Sequence, residues 1–287
     1  MTSRPHPSLG DDGSGVLTDG AAGQSADSGT ERETAHRDDR LRAILQLVAA
    51  AERPVSVEWL AGELNVSAAT IRRDTIVLER QGAVARSWGR VGRVGGFVEQ
   101  PIGERASQHP AEKRRIAEAV AKLVPAEALV GMTGGTTTEA VARAIAGHRR
   151  LTVVTNSLSV GVQLAPRSNI RLIMSGGEAR TASFELSGPL ASSAIGAFNF
   201  DLAIVGVDGI DVWAGCTTYD HAEASTNAAL VQRAAKTIVV ADASKLGHAG
   251  FARICDVTAV ALIITDRSAT DEQVAEFEEA GVRVDRV

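Results

Sequence analysis

Apolar residues recur at helical spacing near the front of the chain and in unbroken, strand-length runs behind it. In "RDDRLRAILQLVAAAE", residues 37–52, Leu41, Ile44, Leu45 and Val48 fall at i, i+3, i+4 and i+7, which predicts an amphipathic helix. Pro54 ends the connection after it, and Ser56 caps a second, shorter helix, "VEWLAGEL", that ends near Asn65. Ser67 caps a third helix running to about Gln81, with Gly82 as its stop and with Ile71, Thr75 and Leu78 turned to the core. Two short helices joined by "NVS" form a helix-turn-helix pattern, and the alternation in "AVARSWGRVGRVGGFV" predicts a β-hairpin wing. From about residue 110 the runs "ALVGM", "LTVVT", "IRLIM", "DLAIVGV", "TIVVAD" and "AVALIIT" alternate with helical stretches. Continuous apolar strands between helices imply a parallel sheet covered on both faces, an α/β fold.

These patterns divide the chain into a disordered tail (1–37), a winged helix-turn-helix (38–96), a linker (97–112) and an α/β domain (113–287). The tail is rich in Gly, Ser, Asp and Thr and cannot bury enough apolar surface to offset its ordering entropy. No apolar run approaches about 18 residues and the N-terminus lacks the apolar core of a secretory signal, so a cytoplasmic chain without a membrane span is expected. Cys216 and Cys255 lie far apart in sequence with no ligand spacing around them. Reduced structural thiols, no metal and no cofactor follow from that.

Charge sharpens the picture. The net charge of -5 hides a basic stretch, because residues 67–96 carry Arg72, Arg73, Arg80, Arg86, Arg90 and Arg93 against Asp74 and Glu79 alone. Ser67, Ala68 and Thr70 are small residues at a helix start that permit close approach to a groove. Arg72 and Arg73 can then form forked hydrogen bonds to phosphate or guanine. Arg86, Arg90 and Arg93 on the wing would reach the DNA backbone. The competing reading has Arg72 and Arg73 paired with Asp74, Glu79 or Glu63 on an ordinary surface. The capped helix pair, the basic wing and the charge asymmetry together favour double-stranded DNA.

The α/β half offers turns suited to an anion. "GMTGGTTTEAVARAIAG" is a strand end, a turn at Gly134 and Gly135, hydroxyls at Thr136, Thr137 and Thr138, and a helix whose free amides attract negative charge. "TNSLS" opens another helix with Asn156 and Ser157, "SGGE" brings Gly176 and Gly177 to a third strand end, and "DASK" delivers Lys245. "GVDGID" supplies Asp208 and Asp211, acceptors for sugar hydroxyls or plain turn-formers. A phosphate carrying a polyol chain complements donors at one end and carboxylates at the other.

"LNVSAATIRRD…LERQGAVARSWG" resembles the DeoR-type bacterial transcription regulators, closely over residues 41–90. Their winged domain typically reads V-S-x-x-T-I-R-R-D-L-x-x-L-x-x-x-G. Thr75 stands where Leu is usual, and "SWGR" where "THGG" is common. In the second half "GTTT", "TNS", "GG", "GVDGID", "E-A-x-x-N" from Glu223, and "D-x-S-K" follow the family's effector domain in order, with Thr133 where an Asp is often found. The resemblance implies a domain of ribose-5-phosphate-isomerase-like fold, an effector site that includes Glu223, and a phosphorylated sugar that tunes operator affinity in a homo-oligomeric repressor of carbohydrate genes. The alternative is a sugar-phosphate isomerase or deaminase fused to a DNA-binding domain. That chemistry needs a general base such as Asp208 or Asp211 and a stabiliser of the enediolate. The isomerases place a Lys-Gly-Gly-Gly loop after the acidic motif, whereas "VWAGCTTYDHAEAS" has neither lysine nor glycine run, so no enzyme is expected. A third reading gives the α/β half a role in assembly alone.

Overall fold

The computed structural model describes residues 27–51, 54–81, 83–87, 89–92, 99–148 and 150–287. Residues 1–26, Gly82 and Arg93 lie outside the described residues.

The front unit is built from α1 (Asp27–Ala50), β1 (Val55–Ser56), α2 (Val57–Glu63), α3 (Ala68–Arg80), β2 (Ala85–Ser87) and β3 (Arg90–Gly92). The helix α1 begins well before the predicted boundary, so residues 27–37 of the expected tail are helical. Both predicted caps are present, Ser56 accepting from the Trp59 amide and Ser67 from that of Thr70. The wing has a third strand the pattern missed, since β1 pairs with β3 in the order β1-β3-β2. Ile44, Val48, Val57, Leu60, Ile71, Leu78, Val84 and Val91 form its core, with Leu41 and Leu45 half-buried beside them. Truncating Ile71 or Leu78 to Ala in so small a core would cost about 2–5 kcal/mol. Thr75 is also fully buried, and its hydroxyl donates to the Ile71 carbonyl at 2.8 Å, so the polar atom placed where Leu is usual is satisfied within the helix.

The segment 97–112 is no plain linker. It contains α4 (Ile102–Ser107) and the start of α5 (Pro110–Ala121). Ile102 is buried, and its amide donates to the Ala182 carbonyl at 2.9 Å.

The remaining elements are β4 (Leu129–Met132), α6 (Thr136–Ile145), β5 (Leu151–Thr155), α7 (Leu158–Leu164), β6 (Ile170–Met174), β7 (Glu178–Ala179), β8 (Leu186–Ser187), α8 (Pro189–Gly196) and β9 (Leu202–Gly206). They continue with β10 (Gly209–Asp211), β11 (Gly215–Thr218), α9 (His221–Gln232), β12 (Thr237–Val240), β13 (Ala252–Cys255), β14 (Leu262–Thr265), α10 (Asp271–Glu279) and β15 (Arg283–Arg286). Seven parallel strands run in the order β15-β14-β12-β9-β4-β5-β6. All six predicted strands are there; β15 is the addition. Alternate residues feed opposite faces. Ala203, Val205, Val239 and Ile263 pack with Leu230 and Phe277, while Ile204, Ile238, Val240 and Ile264 pack with Ile116 and Ile145. The chain winds one way from β4 through β5 to β6, then crosses to β9 and winds the other way. The strand order therefore reverses between β4 and β9, and a crevice opens at their carboxyl ends.

A small antiparallel sheet, β10-β11-β13, stands beside the main one. It sets Cys216 directly opposite Cys255 as free thiols.

Candidate DNA-binding surface and effector pocket

On α3, Arg72 and Arg73 are exposed at the N-terminal end capped by Ser67, and Thr70 is half-buried; Ala68, predicted as a contact, packs partly buried against the core. Asp74 does not neutralise the neighbouring arginines. It is buried and takes Arg40 at 2.6 Å and Arg37 at 3.3 Å, both from α1, which fixes α3 against that helix. Arg72 pairs instead with Glu58 of α2 at 2.9 Å. Two exposed side chains in water gain little from such a pair.

The wing arginines divide. Arg86 pairs with Glu79 of α3 at 3.2 Å. Arg90, expected to reach the DNA backbone, points the other way: its Nη1 donates to the Pro54 carbonyl at 2.9 Å and contacts His248 Nδ1 of the α/β domain at 3.1 Å. Burial lowers its pKa, partly offset by Asp211 and Glu276. The wing strand is thereby seated on the α/β domain.

The crevice at the β4–β9 reversal is lined by Gly134, Gly135, Thr136 and Thr137 from the β4 end and by Asp208 from the β9 end. Gly135 has φ +113, a left-handed backbone conformation that side chains rarely adopt, and no side chain caps α6. Gly134 is fixed by space, because a Cβ there would overlap the Glu185 carboxyl group. Thr133, where the resemblance leads to the expectation of an Asp, is buried, and its hydroxyl accepts the Gly206 amide at 2.9 Å. It ties β4 to β9 rather than facing a ligand.

Cations and carboxylates gather around this turn. Asp242 Oδ1 accepts the Ser244 amide at 3.1 Å and so holds the single turn that presents Lys245. Lys113 of α5 donates to the carbonyls of Arg105 and Gln108 at 2.5 and 2.6 Å, and burial lowers its pKa. Arg105 enters from α4 and pairs with Asp208 at 2.6 Å. The Thr218 hydroxyl stands between Asp208, at 2.9 Å, and Glu223, at 2.6 Å, with a single proton to share between the two carboxyl groups. Glu223 also pairs with Arg180, which reaches Glu99 at 2.7 Å. Burial disfavours the charged Arg180, but its bonds to Glu99 and Glu223 prevail and raise its pKa. Glu185 is wholly buried. Burial, with the nearby Glu223, pushes its pKa well up, although Asn227 and Asn156 donate to it at 3.2 and 2.9 Å.

Several predicted residues belong to the scaffold around the crevice. Thr138 donates to the Gly135 carbonyl at 2.8 Å and braces the turn. Asn156 stands behind Glu185, and Ser157 caps α7 by accepting the Val160 amide. Gly176 and Gly177 shape the exit of β6; a Cβ on Gly177 would strike the Ser187 carbonyl. Asp211 accepts the amides of Trp213 and Ala214 and closes the β10–β11 hairpin. Arg105, Gln108, Lys113, Glu185, Thr218 and Asp242 line the crevice without having been foreseen. "GERASQHP" and "AEKRR" carry no pattern that separates a pocket charge from a solvated one. Among the described residues no group of three or more His, Cys, Asp or Glu is placed to hold a metal. No described helix is long and apolar enough to cross a membrane.

The DeoR-like helix-turn-helix domain matches residues 40–95, and the DeoR C terminal sensor domain matches residues 108–267. The chain belongs to the DeoR family. It is a DNA-binding transcription regulator. The HTH-type transcriptional regulator GlpR of Haloferax volcanii is 36% identical, over 86% of this chain and 96% of that protein. The glycerol-3-phosphate regulon repressor of Escherichia coli is 32% identical over 74% of this chain and 84% of its own length. Among solved structures, ribose 5 phosphate isomerase A from Neisseria gonorrhoeae aligns with a TM-score of 0.33 and 18% identity, covering 46% of this chain and 52% of that one.

Proposed function

We propose that this DeoR-family regulator represses genes of carbohydrate metabolism and that a phosphorylated sugar in the β4–β9 crevice relieves the repression. The observation that carries the reading is the uncapped start of α6 at Gly134–Gly135, in a crevice also lined by Lys113, Lys245 and Arg105 and by Asp208, Glu185 and Glu223. A phosphate suits the amides and cations, and hydroxyls suit the carboxylates. The relative named for glycerol 3-phosphate agrees with an effector of this class.

A homo-oligomer would present paired α3 helices to the two halves of an operator, with the α/β domain as the assembly unit. An effector that favours the weaker-binding arrangement by about 1–3 kcal/mol lowers operator affinity roughly 5- to 150-fold. Catalysis is not part of this reading. Asp208, the base an isomerase would require, is engaged by Arg105 and Thr218.

A thermal-shift screen of sugar phosphates, repeated with operator DNA as competitor, tests it. The expected outcome is a ligand that raises the melting temperature and releases DNA, with Lys245→Ala losing that response while keeping its ligand-free operator affinity. Turnover of any sugar phosphate, or no stabilisation by any of them, would overturn the assignment.

A further inference from the structure

We infer that Arg105, on the short helix joining the two domains, is a ligand for the effector's anionic group and the residue that carries pocket occupancy to the wing. This rests on the crevice being the effector site. Arg105 lines the same crevice as the α6 start, Lys113 and Lys245. Its Nη1 donates to Asp208, the one hydrogen bond the guanidinium makes among the described residues. Its Nε and Nη2 are buried and make no hydrogen bond to any described residue, the Glu99 carboxylate standing 3.7 Å from Nη2. Those two nitrogens form the side-on fork of a guanidinium, which takes a bidentate oxyanion. Buried donors without acceptors are costly, and an anionic oxygen removes that cost.

Capture of the fork would draw Arg105 from Asp208 and disturb everything tied to it. Glu99 links Arg105 to Arg180 and stands just after the wing in the chain. Lys113 holds the end of α4 through the carbonyls of Arg105 and Gln108, and the same ammonium faces the crevice, so an anion competes for it as well. Asp208 leads directly into β10, whose Gly209 lies so close to the His248 backbone that a Cβ there would strike its carbonyl, and Arg90 of the wing contacts the His248 ring. The wing therefore touches the segment packed beside the residue that Arg105 grips. Exchange of Asp208 for an oxyanion loosens the seat of the DNA-binding unit.

The test uses the full chain, calorimetry with inorganic phosphate, and operator binding by fluorescence anisotropy without ligand. Arg105→Gln should weaken phosphate binding by roughly tenfold or more, the scale of one lost charge-assisted hydrogen bond. Asp208→Asn removes the competitor for the guanidinium, so phosphate should bind more tightly and the operator less tightly before any ligand is added. A damaged pocket cannot produce that opposite movement. Equal phosphate affinity in Arg105→Gln and wild type, or unchanged operator affinity in Asp208→Asn, overturns the inference while leaving the pocket assignment intact. A wild type that takes neither phosphate nor any sugar phosphate removes both.

Discussion

Arg72 pairs with Glu58 at 2.9 Å and Arg105 with Asp208 at 2.6 Å, yet the two pairs sit in opposite surroundings. The side chains of Arg72 and Glu58 are 56% and 62% exposed, whereas those of Arg105 and Asp208 are 13% and 5% exposed. The outer pair is worth at most about 1 kcal/mol and competes weakly with a polyanion. The inner pair has lost its water, so a partner can leave only when another anion replaces it. Bond length does not distinguish the two; solvent does. The same residue type would thus supply, on the proposed reading, an open grip on α3 and a conditional one at the crevice.

Three variants sharpen that contrast. The largest effect belongs to the outer grip: Arg72→Ala with Arg73→Ala should lower operator affinity by about a hundredfold or more, at 1–3 kcal/mol per forked contact. Effector stabilisation in a thermal-shift assay should be unchanged; loss of both would break the division between the two regions. Next comes Asp74→Asn, which leaves α1 without the buried carboxylate that Arg37 and Arg40 share. About 2 kcal/mol of stability should go from the DNA-binding unit, moderated because both arginines keep contact with water. Denaturant unfolding followed by Trp59 fluorescence would register it, with sensor-domain ligand binding retained. The smallest effect is at Glu185. Its folded pKa lies above the ordinary 4.5, so the folded state holds the proton longer than the unfolded chain. Stability then falls as pH rises from about 4.5 toward the folded pKa. Glu185→Gln should flatten that decline, and parallel melting curves for variant and wild type across this range would refute the protonated carboxyl.

How much of this was legible depended on whether a residue's surroundings are written beside it. The six long strands were, because fully buried parallel strands are continuous apolar runs, and so were the caps Ser56 and Ser67, whose partners lie three residues on. β10, β11 and β13 were not: "GID", "GCTT" and "ARIC" are short, and their pairing is set by the hairpin and by a bulge at Cys216/Thr217. The glycine–threonine turn announced the α6 start locally. Glu185 and Arg105 gave no such sign, since each becomes a pocket residue only through elements distant in sequence, Asn156 and Asn227 for one and Asp208 for the other. Arg90 misled for the same reason. Its position in a basic hairpin pointed to DNA, and only the fold reveals His248 beside it.

The overlap that a Cβ at Gly134 would make with Glu185 has an evolutionary consequence. Positions 134 and 185 cannot drift independently: a descendant that acquires alanine at the first must already have shortened the second, or it loses the shape of the crevice. Such paired replacement among relatives would mark lineages in which the crevice has been reshaped around a different pair of side chains.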